Sequence, residues 1–416
     1  MPLTSPDADP LPASIRDDFP VLGRSIDGVR LTYLDSAATS LKPRAVIDEV
    51  SRYYTDVGAS IHRGKHMLSE EASDQYERVR QATAAFLGCR PSEVVFVANT
   101  THALNLLALG LGLSGDDLVI CARDAHHSQL LPWRAVARVE LVELDATGAV
   151  DLDHYQHLLR RRPRVVALTH CSNVTGLLAP VAQMAGMARD AGALSVLDAA
   201  QSAPHRQLRP HRLGVDFMAF SGHKMLGPTG IGVLFVSDGQ TERLRPAELG
   251  GGTVDWVGAD GHELRRPPHR FEAGTPNIAG VYGLGAALAY LQRLGMAAVE
   301  QHDLLMAHAL RAEVSRRSYL RLVGTSSGER SGIASLAIPG HDDLSDVAHV
   351  LSDAHGVMCR TGHLCAQPMV DRFTAGQVLR VSAYVYNTIS EVRSAFDALD
   401  ATCASLGVDV ERAPED

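Results

Sequence analysis

Four groups of reactive side chains stand out, and each sits at a break in an apolar run. Phe220-Ser221-Gly222-His223-Lys224 closes the short strand-like run Asp216–Phe220 and is followed by Gly227-Pro228-Thr229-Gly230. A lysine amine becomes a nucleophile toward an aldehyde when burial and neighbours lower its pKa. On this segment alone, Lys224 reads equally well as an ordinary surface lysine. Asn99-Thr100-Thr101 ends a second apolar run and opens a helical pattern. Hydroxyls plus free N–H groups at a helix start make an anion site, and a plain threonine N-cap uses the same residues. Asp198 follows Leu194–Leu197, one strand ahead of Lys224. A carboxylate there can hold a pyridine nitrogen protonated or can serve a buried structural ion pair. Cys365 lies in Cys359-Arg360-Thr361-Gly362-His363-Leu364-Cys365-Ala366, a polar loop with a basic residue nearby. Such a loop favours an exposed thiolate, whereas a free cysteine elsewhere, as at Cys89, Cys121 and Cys403, reads as a small buried hydrophobe.

Positioning these groups requires a scaffold, and the sequence supplies one. Strands are expected at Val94–Val97, Leu118–Cys121, Val139–Val142, Val165–Leu168, Leu194–Leu197, Phe217–Phe220 and Gly232–Val236. Helices are expected at Leu68–Leu87, Thr101–Leu111, near Pro132, at Asp153–Arg160 and at Val181–Ala191. Apolar strands alternating with helices argue an α/β fold, a mostly parallel sheet covered on both faces. Beyond the carboxyl ends of five strands stand Thr100 with Thr101, His126, Asn173, Asp198 with Gln201, and Ser221 with His223 and Lys224. In open α/β sheets ligands bind just past those ends. An aldehyde-seeking amine, a partner for a pyridinium and an anion site on one edge are what pyridoxal 5'-phosphate (PLP) needs, a cofactor that serves as an electron sink for a carbanion at a substrate Cα.

The remaining chain divides around this region. Residues 1–20 read as a tail with a short helix, Ala13–Phe19, that packs with the small domain; Pro2, Pro6, Pro10 and Pro12 predict a poorly ordered first dozen residues. Leu31–Asp35 reads as a strand entering the turn Ser36-Ala37-Ala38-Thr39, and Pro43 opens a helix to about Tyr54. The loop Gly58–Gly64 carries His62. After Val236 the pattern turns irregular through Gly250-Gly251-Gly252, Pro267-Pro268 and Phe271–Asn277, before a helix at Val281–Leu294. A second, smaller unit follows, with a helix near Val299–Arg317, strands near Ser335–Ile338 and Leu379–Ser382, and a last helix at about Glu391–Leu406. With the boundary inside a helix over 281–300, the domains are 1–20, a large domain 21–285, and a small α+β domain 286–416 carrying the cysteine loop.

Composition narrows the partners. A chain of 416 residues, 45% hydrophobic and 21% charged, is that of a soluble globular protein, at about 100–200 residues per domain. A formal net charge of -9 argues against nucleic acid and against an anionic membrane surface. No apolar stretch is long enough to span a bilayer, and Met1-Pro2-Leu3-Thr4-Ser5-Pro6 does not open like a signal peptide. Six scattered cysteines without a C-x-x-C pair give neither a disulfide scaffold nor a structural zinc site, so no metal is expected and a reducing cytoplasm fits. Gly110-Leu111-Gly112-Leu113-Ser114-Gly115 matches G-x-G-x-x-G but follows a helix and precedes a strand, the reverse of a dinucleotide site.

Ser221-Gly222-His223-Lys224, Asp198-Ala199-Ala200-Gln201, Arg270-Phe271-Glu272-Ala273-Gly274-Thr275-Pro276-Asn277 and Arg360–Cys365 resemble the Suf-type (group II) cysteine desulfurases. These are class V aminotransferase-like PLP enzymes of fold-type I, and the likeness runs from about Asp18 to the end of the chain. It implies a homodimer that converts L-cysteine to L-alanine, holds the sulfur as a persulfide on Cys365 and passes it to a Suf-type acceptor protein for iron–sulfur cluster assembly. It also implies roles. Lys224 would be the Schiff-base lysine and the acid/base at Cα; Asp198 would pair with the pyridine nitrogen, and Gln201 would touch the phenolic oxygen. His126 would stack on the ring and assist proton transfer. Thr100, Thr101, Ser221 and His223 would bind the phosphate, with Thr275 reaching in from a partner subunit. Asn173 and Arg380 would hold the substrate carboxylate, Arg380 by a bidentate fork, with Arg360 and His62 completing the substrate site. Selenocysteine lysis, C–S β-lysis and transamination on the same scaffold are the alternatives. The chain departs from the family pattern at His102, at Asp124-Ala125-His126-His127-Ser128-Gln129, at Ala199 and at Leu364, which leaves the sulfur pathway open.

Overall fold

Strands of four or five residues that are apolar throughout bury both faces, which suits a sheet covered on each side by helices. The computed structural model describes residues 9–325 and 327–410. Its main sheet contains β1 (Val94–Val97), β2 (Leu118–Ala122), β3 (Arg138–Val142), β4 (Val165–Thr169), β5 (Leu194–Asp198), β6 (Phe217–Ser221) and β7 (Gly232–Val236). Their spatial order is β1-β7-β6-β5-β4-β2-β3. β7 runs antiparallel to both β1 and β6, and the other pairings are parallel. The period-2 alternation of side chains splits each strand between two apolar layers. Val94, Phe96, Met218 and Phe220 face one layer, while Val95, Val97, Phe217 and Ala219 face the other. β7 passes so close to its neighbours that a side chain at Gly232 would lie 2.7 Å from the Phe220 carbonyl and 2.9 Å from the Asn99 Cα. Glycine there lets the ends of β1 and β6 come together, and the polar residues following them converge.

The helices α1 (Thr100–Gly110) and α2 (His127–Val136) start immediately beyond β1 and β2, so their amino ends face the carboxyl edge of the sheet. The helix expected at Val281–Leu294 ends where it was expected to: α3 (Ile278–Leu294) stops at Gly295, whose φ of 82° lies in the left-handed region, and α4 (Met296–Ser315) starts anew, so the expected domain boundary falls between two helices and not inside one. A residue with a Cβ pays for that conformation, and glycine does not. α3 packs wholly in the core of the main sheet, whereas Met306, Leu310 and Val314 of α4 enter a second core. That second core is built on β8 (Ile333–Ala337) and β9 (Val378–Ser382), which pair antiparallel, together with α5 (Ile389–Ser405).

Two early segments touch this C-terminal unit, although Leu11, Ile15 and Phe19 of the first bury in the main-sheet core and not in the second core where the segment was expected to pack. Thr32–Tyr33 pairs in parallel with Val357–Met358, Leu34 is fully buried in the second core, and Asp35 bridges to Ser382. The short helix Ala13–Asp18 leads to Phe19, which packs edge-on against Tyr290 and Tyr386, and Arg16 pairs with Glu391 at 2.7 Å. The expectation of a poorly ordered first dozen residues fails over residues 9–12. Leu11 is buried, and the Asp9 carboxylate meets His302 at 2.8 Å. Residues 1–8 lie outside the described residues. Among the described residues no helix is long and apolar enough to cross a membrane.

Candidate active site

The carboxyl edge of the main sheet opens into a cavity of about 460 Å³, floored by the strand ends and roofed by the loop carrying Cys365. Thr100, Thr101, His126, Asn173, Asp198, Gln201, Ser221, His223, Lys224, Arg360, Cys365 and Arg380 all line it. The sequence therefore placed twelve of its fourteen candidate residues around one space, contributed by five strand ends of the main sheet and two segments of the C-terminal unit.

Lys224 is held from behind. Four donors converge on the carbonyl of the preceding residue, His223: Ser40 N at 3.0 Å, Ser40 Oγ at 3.1 Å, Thr39 Oγ1 at 3.0 Å and Lys42 Nζ at 2.9 Å. Leu226, in the left-handed region at φ 68°, donates its N–H to Ser40 Oγ at 2.8 Å. Burial lowers the Lys224 amine to about 8, against the pull of Asp198, and Arg380 pushes in the same direction as burial. An amine with that pKa is neutral far more often near neutral pH than a solvated lysine.

Within the cavity, the Ser221 hydroxyl accepts Thr100 N–H at 2.9 Å and pairs with Thr100 Oγ1 at 2.8 Å. Thr101 Oγ1 meets Ser128 Oγ at 2.7 Å. Burial holds the neighbouring His223 imidazole at about 4, helped by the charges of Lys224 and Lys42. Asp198 is buried, its Oδ1 accepts the Ala200 N–H at 2.9 Å, and desolvation raises its pKa. His126 lines the same cavity. Its Nδ1 accepts the Ser128 N–H at 3.1 Å, which leaves Nε2 to carry the proton of the neutral ring, and burial lowers its pKa to about 4. Gln201 donates through Nε2 to the Ala37 carbonyl at 2.8 Å.

The C-terminal unit supplies the rest. Asn173 Nδ2 donates to the Leu364 carbonyl at 2.8 Å, and His127 N–H to the Cys365 carbonyl at 2.7 Å. Leu364 and Cys365 have φ of 53° and 55°, two successive residues with a Cβ in the left-handed region. Cys365 is exposed, in contrast to the buried Cys121, Cys171 and Cys403, and Cys89 is half-buried. Arg380 departs from a fork with both prongs free. Its Nη1 donates to the Asn173 carbonyl at 3.1 Å and its Nη2 to Asp35 Oδ1 at 3.0 Å.

His62 and Thr275 do not reach this cavity. Both are exposed residues in a second recess of about 270 Å³ shared with His269 and Glu272. His62 Nε2 lies 3.2 Å from Glu77 Oε1, and ligand-type atoms of His62, Glu77 and His269 fall within 4.8 Å of one another. Arg80 Nε donates to Glu77 Oε2 at 2.9 Å, so that carboxylate is already paired with a buried guanidinium.

Several residues of the site escaped the sequence reading. Asp35, Lys42 and Ser128 are the chief ones, and Cys171 lines the cavity as well. Asp35 was legible in principle, since it too follows a strand and precedes a small-residue turn. Burial lowers the Lys42 amine to about 8. The departures from the family pattern have structural occupations. Gln129 is buried and donates to the Leu168 and Val196 carbonyls, tying β4 to β5. His102 accepts the Ala98 N–H at 3.1 Å and lies 3.3 Å from Glu248. Asp124 is buried, and desolvation raises it to about 7.

The residues present fit PLP. Asp198 is a buried carboxylate lining the cavity, a match for a protonated ring nitrogen. Hydroxyls and the amino end of α1 line it too, a match for a phosphate. Thr169 Oγ1 and Arg380 Nε, on two further lining residues, are buried without a hydrogen-bond partner.

Residues 32–394 match the Aminotransferase class-V family. A probable cysteine desulfurase of Synechocystis sp. is 39% identical over 404 residues, spanning 94% of this chain and 96% of that protein. A probable cysteine desulfurase 2 of Mycobacterium leprae is 41% identical over 394 residues, spanning 91% and 94%. The apo structure of a cysteine desulfurase from Thermococcus onnurineus NA1 superposes with a TM-score of 0.89 at 35% identity, covering 97% of this chain and all of that one.

Proposed function

The chain belongs to the class-V aminotransferase family, and from that premise we propose how its residues divide the work of cysteine desulfuration. The enzyme converts L-cysteine to L-alanine with PLP as cofactor and holds the sulfur as a persulfide. PLP supplies an aldehyde for amines and a protonated ring that accepts the electron pair released at the substrate Cα.

Asp198 holds the ring nitrogen protonated, because a buried carboxylate is stabilised by a cation beside it. Thr100, Thr101, Ser221 and His223 bind the phosphate, with His223 neutral. Lys224 moves the proton at Cα, a task suited to an amine whose pKa lies near the working pH. His126, whose Nε2 carries the proton of the neutral ring, would stack on the cofactor ring and assist proton transfer. Asn173 and Arg380 hold the substrate carboxylate. The Cys365 thiolate attacks the substrate sulfur, and an S–S bond forms as the Cβ–S bond breaks. The electron pair of that bond stays on carbon and is taken up by a proton, leaving the methyl group of alanine. The observation that carries this reading is the meeting of Lys224, Asp198 and an exposed Cys365 around one cavity.

Suf-type chemistry, with a homodimer and an acceptor protein in a reducing cytoplasm, completes the proposal. Thr275 supports the dimer: it is exposed and away from its own chain's cavity, whereas His62 is paired with Glu77. An exposed persulfide supports transfer to an acceptor protein, for iron–sulfur cluster assembly. The test is product analysis of the PLP-loaded protein with L-cysteine. Alanine is expected, with sulfide released on adding a reductant. Pyruvate with ammonia would place the chain among C–S β-lyases instead, and a strong preference for L-selenocysteine would make it a lyase for that amino acid.

A further inference from the structure

Thr101 and His126 follow different strands, and one side chain joins them. Ser128 Oγ lies 2.7 Å from Thr101 Oγ1 and 3.0 Å from His126 Nδ1, and all three residues line the cavity. Ser128 falls in the segment Asp124–Gln129, where the chain departs from the family pattern. Thr101 is the second residue of α1, and it is exposed. A threonine within a helix can turn its hydroxyl to a carbonyl three or four residues back, but here those residues, Ala98 and Val97, precede the helix. Among the described residues, Ser128 is the one hydrogen-bond partner of Thr101 Oγ1.

Proton counting decides which way that bond runs when an anion is present. His126 Nδ1 already accepts the Ser128 N–H at 3.1 Å, so Nδ1 carries no proton. A proton between Ser128 Oγ and Nδ1 can come only from the Ser128 hydroxyl. Two arrangements follow. With the Ser128 proton on Nδ1, the Thr101 proton fills the 2.7 Å contact and is lost to the cavity. With the Ser128 proton on Thr101 Oγ1, the Thr101 proton is released to an anion. Only the second arrangement serves a phosphate, and in it each hydroxyl polarises the next, which strengthens the outermost bond. We infer that Ser128 is a positioning residue for the cofactor phosphate: its hydroxyl donates to Thr101 Oγ1, fixes that side chain and commits the Thr101 proton to the anion. The inference rests on the reading above that places the phosphate at Thr101.

The test is equilibrium binding of PLP, and of pyridoxal, which lacks the phosphate, to the apo protein, followed by visible absorbance. In Ser128→Ala, PLP should bind about three- to tenfold more weakly, the scale of one lost hydrogen bond, while pyridoxal changes by less than about twofold. In a Thr101→Val background the same substitution should weaken PLP by less than about twofold, because Ser128 acts through the Thr101 hydroxyl. Unchanged PLP affinity overturns the inference. So does equal weakening of both cofactors, which marks a merely structural role, and so does full additivity with Thr101→Val. Should Ser128→Ala fail to fold, Ser128→Cys takes its place under the same outcomes, since a thiol keeps the shape and is only a weak donor. Failure of the parent reading is separate, because it appears as native protein that binds pyridoxal as tightly as PLP.

Discussion

The two reactive ends of the cavity are built in opposite ways. Lys224 follows a strand whose five residues are all buried, and four donors pin the carbonyl just before it. Cys365 is exposed and sits on two successive left-handed residues, held by two hydrogen bonds to its backbone neighbourhood. A residue with a Cβ in that conformation costs roughly 1–2 kcal/mol, so the thiol end, with two such residues against Leu226 alone beside Lys224, is the more strained one. The difference follows from what each group has to do. An amine that moves a proton at one atom gains from immobility and from exclusion of water. A thiol that takes sulfur and then gives it to another molecule has to meet both, which requires exposure and a loop that can yield. Strain stored beside a functional group is consistent with that second task.

Removing each group separates the two ends most sharply. Lys224→Ala should abolish the visible band that an amine–aldehyde adduct gives and should lower alanine formation by on the order of 10³–10⁴-fold, the scale of a lost acid/base group. Cys365→Ala should keep that band, since the fixed end is untouched. It should cut persulfide and sulfide output by about a hundredfold, measured by mass spectrometry of the protein and by sulfide assay. A Cys365→Ala protein with full sulfide output would erase the division of labour.

How much of this arrangement was readable beforehand depends on how far apart the partners lie in sequence. The main sheet was legible because each strand is a short run of buried apolar residues ended by polar ones, a local signal. The same signal located Thr100, His126, Asn173, Asp198 and Lys224 on one edge. Asp35 and Lys42 were missed because their roles come from partners 345 and 181 residues away. The strand-to-turn position of Asp35 marks it as a site residue without naming its arginine partners, and nothing near Lys42 announces the His223 carbonyl. The order of residues 9–12 was hidden for the same reason, since Asp9 meets His302 across 293 residues. The break at Gly295 was readable, since one helix was expected to end at Leu294 and the next to start near Val299.

The amine end can also be probed without a substitution. Burial brings Lys224 to about 8 from the ordinary 10.5, and only the neutral amine attacks an aldehyde. At pH 7 about one Lys224 in ten is neutral, so capture of added PLP by the apo protein should quicken about tenfold between pH 7 and pH 9 and then level off. The rate of appearance of the visible band measures this. A rate that keeps climbing toward pH 10.5 would mean that the amine is solvated and the fixed end is not the dry one.

The smallest effect tests the strain at the thiol end directly. Leu364 is 8% exposed, and its side chain packs with Val174, Met369 and Val378. Truncating it to alanine loses most of that burial, worth about 1.5–3 kcal/mol for a whole leucine side chain, yet keeps a Cβ in the left-handed region. Glycine loses slightly more surface but escapes the conformational cost of roughly 1–2 kcal/mol. In ordinary helix or strand positions glycine is less stable than alanine by about 0.5–1 kcal/mol. Here the order should invert, with Leu364→Gly more stable than Leu364→Ala by about 1 kcal/mol, read from denaturant midpoints at equal slopes. Alkylation of Cys365 should quicken by no more than about threefold in either variant, because the His127 N–H still holds the Cys365 carbonyl. If alanine proves the more stable, the turn before Cys365 stores no strain, and the contrast between the two ends reduces to exposure alone.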